Sequence, residues 1–163
     1  MGGRIVIVGS GETDADGRIA ELGSAVEPRE GDEVIETDGA PVVPGLWNAH
    51  THAAMTLFRG YGDDLPLMEW LEKKIWPVEA KLDADDVYWG ARLACAEMIR
   101  TGTVRFWDMY WQPGATARAV ADAGLRAVIG APLIDGGGAG SDEKVAKLKA
   151  DAEAFLGEPI TDV

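Results

Sequence analysis

Val42-Val43-Pro44-Gly45-Leu46-Trp47-Asn48-Ala49-His50-Thr51-His52 sets how the remaining residues are read. An apolar run ends in two histidines one residue apart, and the chain has only these two. In a β-strand, residues i and i+2 project from the same face. Both imidazoles then sit side by side at the strand's carboxyl end. Neutral imidazole nitrogens on a rigid strand suit a divalent metal, and zinc takes them at about 2.0–2.1 Å. The same spacing also arises by coincidence, or as one core and one surface histidine, so the surrounding residues have to decide.

Those residues carry a resemblance. Pro44-Gly45-Leu46 followed by Asn48-Ala49-His50-Thr51-His52 resembles the first barrel strand of the amidohydrolase superfamily. Leu57-Phe58-Arg59-Gly60, the run from Asp63 to Leu71, and Ile75-Trp76-Pro77-Val78-Glu79 are similar to one branch of it. That branch holds the S-adenosylhomocysteine/methylthioadenosine deaminases and the related chlorohydrolases. The resemblance implies a (β/α)8 TIM-like metal-dependent hydrolase barrel with a small β-sandwich beside it. It implies that His50 and His52 bind a divalent metal, with Zn2+ the expected ion. It also implies that Glu79 contacts the ribose hydroxyls of a nucleoside, and it puts Trp76 either beside the base or in the core. A carboxylate suits a vicinal diol because it accepts two hydrogen bonds.

The activity implied is hydrolytic deamination of an adenine nucleoside of the 5′-methylthioadenosine, S-adenosylhomocysteine or 5′-deoxyadenosine type. Some members hold a substrate carboxylate with an arginine after the third strand. Here Ala131 and Pro132 stand at that place, which favours a neutral nucleoside. A chlorohydrolase or another heterocycle hydrolase is the alternative, and a non-catalytic truncated member is a further one.

Length conflicts with a whole barrel. The chain has 163 residues, whereas a (β/α)8 barrel takes about 250. From Pro44 onward the order is strand, loop, helix, strand, helix, strand, helix, an alternation that predicts parallel strands with right-handed crossovers. About three β/α units are accounted for. The expected organisation is a partial β-sandwich over 1–43 and an amino-terminal barrel segment over 44–163. The family's later ligands and proton-transfer groups would come from strands past Val163. The chain alone is therefore expected to be an inactive fragment, and a homo-oligomer or a complementing C-terminal chain is the partner class left open.

The local signals are specific. Arg4–Val8, Arg18–Gly23 and Glu33–Thr37 read as short strands, with Asp38-Gly39 as a tight turn. A loop comes after His52, and Pro66 to Ile75 reads as a short helix. Asp83 is a good N-cap, with Asp85 and Asp86 in the first turn. Val87, Ala91, Ala94, Cys95 and Met98 form the buried stripe, and Gly102 is the stop. Thr103–Tyr110 is the next strand, and Asp108 falls near the metal ligands or serves as a structural acid. Pro113 opens a helix that Gly124 ends. Residues 126–134 form the third strand, and Ser141 caps a last helix.

Other classes are excluded. The net charge of −13 repels phosphate backbones and anionic lipid, so neither nucleic acid nor membrane is a partner. Nine arginines against six lysines, with the acid spread along the chain, suggest a halophilic protein. Gly9-Ser10-Gly11-Glu12-Thr13-Asp14 nearly fits a dinucleotide-binding loop, but acid replaces the third glycine and no helix comes after it. The single cysteine, Cys95, permits neither an intrachain disulfide nor a cysteine zinc site. The expected compartment is cytoplasmic.

Overall fold

A computed structural model describes residues 34–132, together with residues 27, 28, 30, 31 and 150. The chain divides into two units, Met1–Pro44 and Gly45–Val163. The expected strands over 4–8 and 18–23, and the helix after Ser141, lie outside the described residues.

In the first unit the Asp38-Gly39 turn forms. Asp38 and Gly39 have φ of 49° and 82°, and the Ala40 amide donates to the Thr37 carbonyl at 2.8 Å. Positive φ at both central residues is the mark of a type I′ turn. Residues 34–37, expected as a strand, are not in one.

The second unit is a parallel three-stranded sheet in the order β1-β2-β3, formed by Leu46–Thr51, Thr103–Met109 and Arg126–Gly130. β1 starts later than the apolar run suggested. Pro44 has no amide hydrogen to give a ladder, and Gly45 is where the Val104 side chain presses against the backbone. The third strand likewise stops at Gly130, before Ala131-Pro132.

After His52 the chain winds into a 3-10 helix, Ala53–Phe58, in place of the expected loop. The expected Pro66–Ile75 helix runs on to Glu79 in three registers. These are α1 (Leu67–Trp70), a π-helical turn (Leu71–Ile75) and α2 (Trp76–Glu79). Pro77 accounts for the wide turn: in a regular α-helix its ring would meet the carbonyl four residues back.

α3 (Ala84–Arg100) starts on a complete capping box. The Asp83 carboxylate accepts from the Asp85 and Asp86 amides at 2.9 Å, and the Asp86 carboxylate accepts from the Asp83 amide at 3.2 Å. α4 (Pro113–Ala123) ends on Gly124 in the left-handed region. Both helices pack on one face of the sheet. Phe106, Ala91, Ala94, Cys95, Ala119, Val120 and Leu125 make the core there. Tyr88 on α3 donates to Asp122 on α4 at 2.7 Å, tying the two helices.

A second buried cluster, Ala54, Val87, Tyr110 and Ala115, lies at the carboxyl ends of β1 and β2. The other sheet face carries Trp47, Trp107, Met109 and Val128, all exposed. Arg105 stacks its guanidinium over Trp47 there, 4.6 Å from the ring centroid.

Candidate metal and nucleoside site

β1 aims the histidines through a bulge. Asn48 pairs with Phe106 and Thr51 with Asp108, so three steps on β1 oppose two on β2. Phe106 and Asp108 both face the helices and are buried. Without the extra residue, the side-chain alternation would turn both histidines toward that core. With it, Thr51 faces the helices, and the histidines on either side of it face the open side. Their ring centroids are 5.2 Å apart, at 72° between planes.

The Nδ1 of His52 lies 2.6 Å from the Met109 carbonyl oxygen. A carbonyl only accepts, so Nδ1 carries the proton and Nε2 presents its lone pair. Such a ring is ready to bind a metal. The pair fits as two ligands of a divalent ion by donor type and spacing, and His52 by tautomer as well. Among the described residues no cluster of three or more His, Cys, Asp or Glu completes the shell.

Asp108 stands behind the pair. It is 2% exposed, and its Oδ1 accepts from the Thr51 hydroxyl and the Ala53 amide, both at 2.6 Å. These bonds pin the backbone on both sides of His52. Burial pushes the Asp108 carboxyl above its ordinary range, against the pull of the two hydrogen bonds and of His52. Its Oδ2 is buried with no partner among the described residues. Asp108 therefore holds the residues on either side of His52 in place.

Glu79 closes α2 and is half-buried. It is not the exposed acid that a helix end would suggest. Its Oε1 accepts from the Tyr110 hydroxyl at 2.8 Å, and its Oε2 accepts from the Trp111 indole N–H at 3.2 Å. The Tyr110 ring is 6.2 Å from that of His52 and so joins the two parts of the site. Burial and the Glu79 carboxylate push the Tyr110 phenol far above its ordinary value. Trp76 is 45% exposed, which removes it from the core. It precedes Glu79 by three residues, so the two share a helix side.

Reasoning from the sequence missed Met109, Tyr110 and Trp111. Their partners lie 31 to 57 residues away, and no local pattern reports such contacts. The one signal present is their place just past a strand's carboxyl end, where barrel folds gather functional groups.

Residues 42–161 match the profile of the amidohydrolase family. A 5′-deoxyadenosine deaminase of Methanosarcina mazei is 59% identical over 121 residues, which is 74% of this chain and 28% of the relative. A 5-methylthioadenosine/S-adenosylhomocysteine deaminase of Archaeoglobus fulgidus is 54% identical over 118 residues, 72% of this chain and 28% of the relative. Among solved structures, an adenosine deaminase from Xanthomonas campestris with bound zinc superposes with a TM-score of 0.59 at 41% identity. That match covers 72% of this chain and 28% of the other. The chain thus spans a little over a quarter of the length of these relatives.

Proposed function

The chain belongs to the amidohydrolase family, whose barrel-type fold its parallel β/α units share, and on that premise we propose that it forms the amino-terminal part of a metal-dependent adenine-nucleoside deaminase. His50 and His52 hold a divalent metal, zinc by analogy with the Xanthomonas campestris protein. Glu79 receives the ribose hydroxyls, and Trp76 lies along the nucleoside. The observation that supports the reading is the 2.6 Å bond from His52 Nδ1 to the Met109 carbonyl, which leaves Nε2 free to take a metal.

When bound, the metal supplies Lewis acidity and lowers the pKa of water at the site. This chain's own residues bind and orient. Met109 fixes the His52 tautomer, Asp108 pins the β1 end, and Glu79 sets the distance of the sugar from the histidine pair. Ala131 and Pro132 come after β3 and offer no cation for a substrate carboxylate. That supports 5′-deoxyadenosine or 5′-methylthioadenosine over S-adenosylhomocysteine.

Further groups must complete the shell and move protons, and they belong to the rest of the enzyme, whether on the same polypeptide or on a complementing chain. A partial β-sandwich over 1–43 precedes the barrel segment in this reading. The acidic, arginine-rich composition supports a high-salt cytoplasm as the setting.

The test is metal analysis of the full-length enzyme, with any complementing chain, together with ammonia release from 5′-deoxyadenosine. Bound divalent metal that disappears in His50→Ala and His52→Ala, with turnover abolished by chelator and restored by zinc, supports the reading. A wild-type protein that binds no metal, or variants that keep it, overturns it.

A further inference from the structure

We propose that Tyr110 and Trp111 are positioning residues that aim the Glu79 carboxylate at the vicinal diol of a ribose. The inference rests on the reading of Glu79 as the sugar contact and adds how that carboxylate is made to fit.

An ionised carboxylate offers about four lone-pair directions, two on each oxygen. In this structure one direction on each is taken, by the Tyr110 hydroxyl at 2.8 Å and by the Trp111 indole at 3.2 Å. Donors on both oxygens fix the plane of the group as well as its place. One lone pair is left on Oε1 and one on Oε2, a pair of acceptors for two neighbouring hydroxyls. Both anchors are neutral, and among the described residues no Lys or Arg lies within ion-pair reach of Glu79. Neither anchor neutralises the carboxylate, and hydrogen bonds to a charged acceptor are the stronger kind.

The anchors themselves are rigid. Tyr110 is 5% exposed, within the cluster of Ala54, Val87 and Ala115. Its hydroxyl is turned to Glu79 Oε1, which can only accept from it as a carboxylate oxygen. Its ring lies 6.2 Å from His52, so the diol-binding group and the metal histidine are referenced to one side chain. Position also favours a role beyond stability. Asp108, Met109, Tyr110 and Trp111 are consecutive, and each holds a different piece of the site: the β1 end, the His52 tautomer, Oε1 and Oε2.

The experiment compares binding of inosine and 2′,3′-dideoxyinosine to the full-length, metal-loaded protein by calorimetry. These product-type probes are not consumed, and they differ only in the diol. The variants are Tyr110→Phe, Trp111→Phe and Glu79→Gln. The expected wild type prefers inosine. Tyr110→Phe cuts that preference about tenfold, the size of one hydrogen bond to a charged group. Trp111→Phe cuts it less, given its longer bond. Glu79→Gln cuts it at least as far as either. Affinity for dideoxyinosine stays within about twofold in the same variants, which damage to packing would not produce.

Trp111→Phe carries the test if Tyr110→Phe fails to fold. An unchanged preference in the folded variants overturns the inference. So does a wild type with no preference, or one that binds neither probe. Metal-dependent ammonia release judges the deaminase reading separately.

Discussion

His52 points its Nδ1 at the carbonyl oxygen of Met109 across 2.6 Å, so a residue of β2 decides which nitrogen of the histidine just past β1 is free. The consequence is measurable in metal binding. His52→Ala and His50→Ala should each weaken divalent metal by more than the roughly 10–100-fold typical of losing a supporting partner. Metal content and competition with a chromophoric chelator would show it. Equal retention in both variants would mean the pair is no metal site.

Gly90 lets the 3-10 helix and α3 approach closely. A methyl group there would lie 2.6 Å from the Ala54 carbonyl and 3.0 Å from Leu57 Cγ. The Thr56 hydroxyl already donates to the Gly90 carbonyl at 2.7 Å, so the 3-10 helix is clamped onto α3. Gly90→Ala should cost about 1–3 kcal/mol by overpacking. Gly114→Ala in α4, where nothing lies within 4 Å, should be neutral or stabilising by up to about 1 kcal/mol. Denaturant midpoints of the two variants settle the contrast.

Cys95 should be inert in the native protein. It is fully buried, and its thiol is pushed up to about 11 from an ordinary 9.0, chiefly by burial. A rise of about two pH units lowers the thiolate fraction about a hundredfold, on top of the steric block. A disulfide reagent at about pH 8, near the ordinary thiol range, should modify Cys95 only after denaturant is added. Rapid labelling of the folded chain would contradict the packing of α3 on β2.

Glu97 gives the acid limb of the stability profile. Two bonds from Arg59, at 2.8 and 2.7 Å, hold its carboxyl below the ordinary 4.5. A depressed carboxyl contributes stability above its unfolded value and loses it as pH falls through the folded one. Wild type should therefore melt slightly higher than Glu97→Gln at neutral pH, and the gap should close below pH 4.5. Both partners are exposed, so the gap is small and shrinks with salt. The whole protein should respond in the opposite sense, gaining stability with salt as its net charge of −13 is screened. Full stability at low ionic strength would end the high-salt reading.

Local signals carried much of the architecture. The Asp83 cap, the Val87–Ala91–Ala94–Cys95 stripe and the Gly102 stop placed α3 within a residue or so, because each acts inside one or two turns. Alternating β and α runs predicted the parallel sheet. His50 and His52 were legible as a pair, but the reason they share the open face was not. It is a bulge defined only by the register against β2. The start of β1 was overrun because Val42 and Val43 suit a strand as well as Leu46 does, while Pro44 stops the ladder. The 3-10 helix after His52 packs on α3 where Gly90 leaves room, and the π turn before Trp76 answers to Pro77; neither relation shows in periodicity. Glu79 could be named from a motif. That it is held by Tyr110 and Trp111 could not, since those bonds join residues more than thirty positions apart.

The four consecutive residues from Asp108 to Trp111 also make the site brittle in one particular way. Losing or gaining a single residue among them would not remove one contact and spare the others. It would hand each task to the wrong neighbour: the tautomer-setting carbonyl, the buried acid and the two donors would all move one place along together. Substitutions there are separable trials, each answerable on its own, whereas a frame slip of one position is an all-or-nothing event. A library that varies the length of this segment should split into intact and dead clones with few in between, while one that varies only its side chains should yield a graded series.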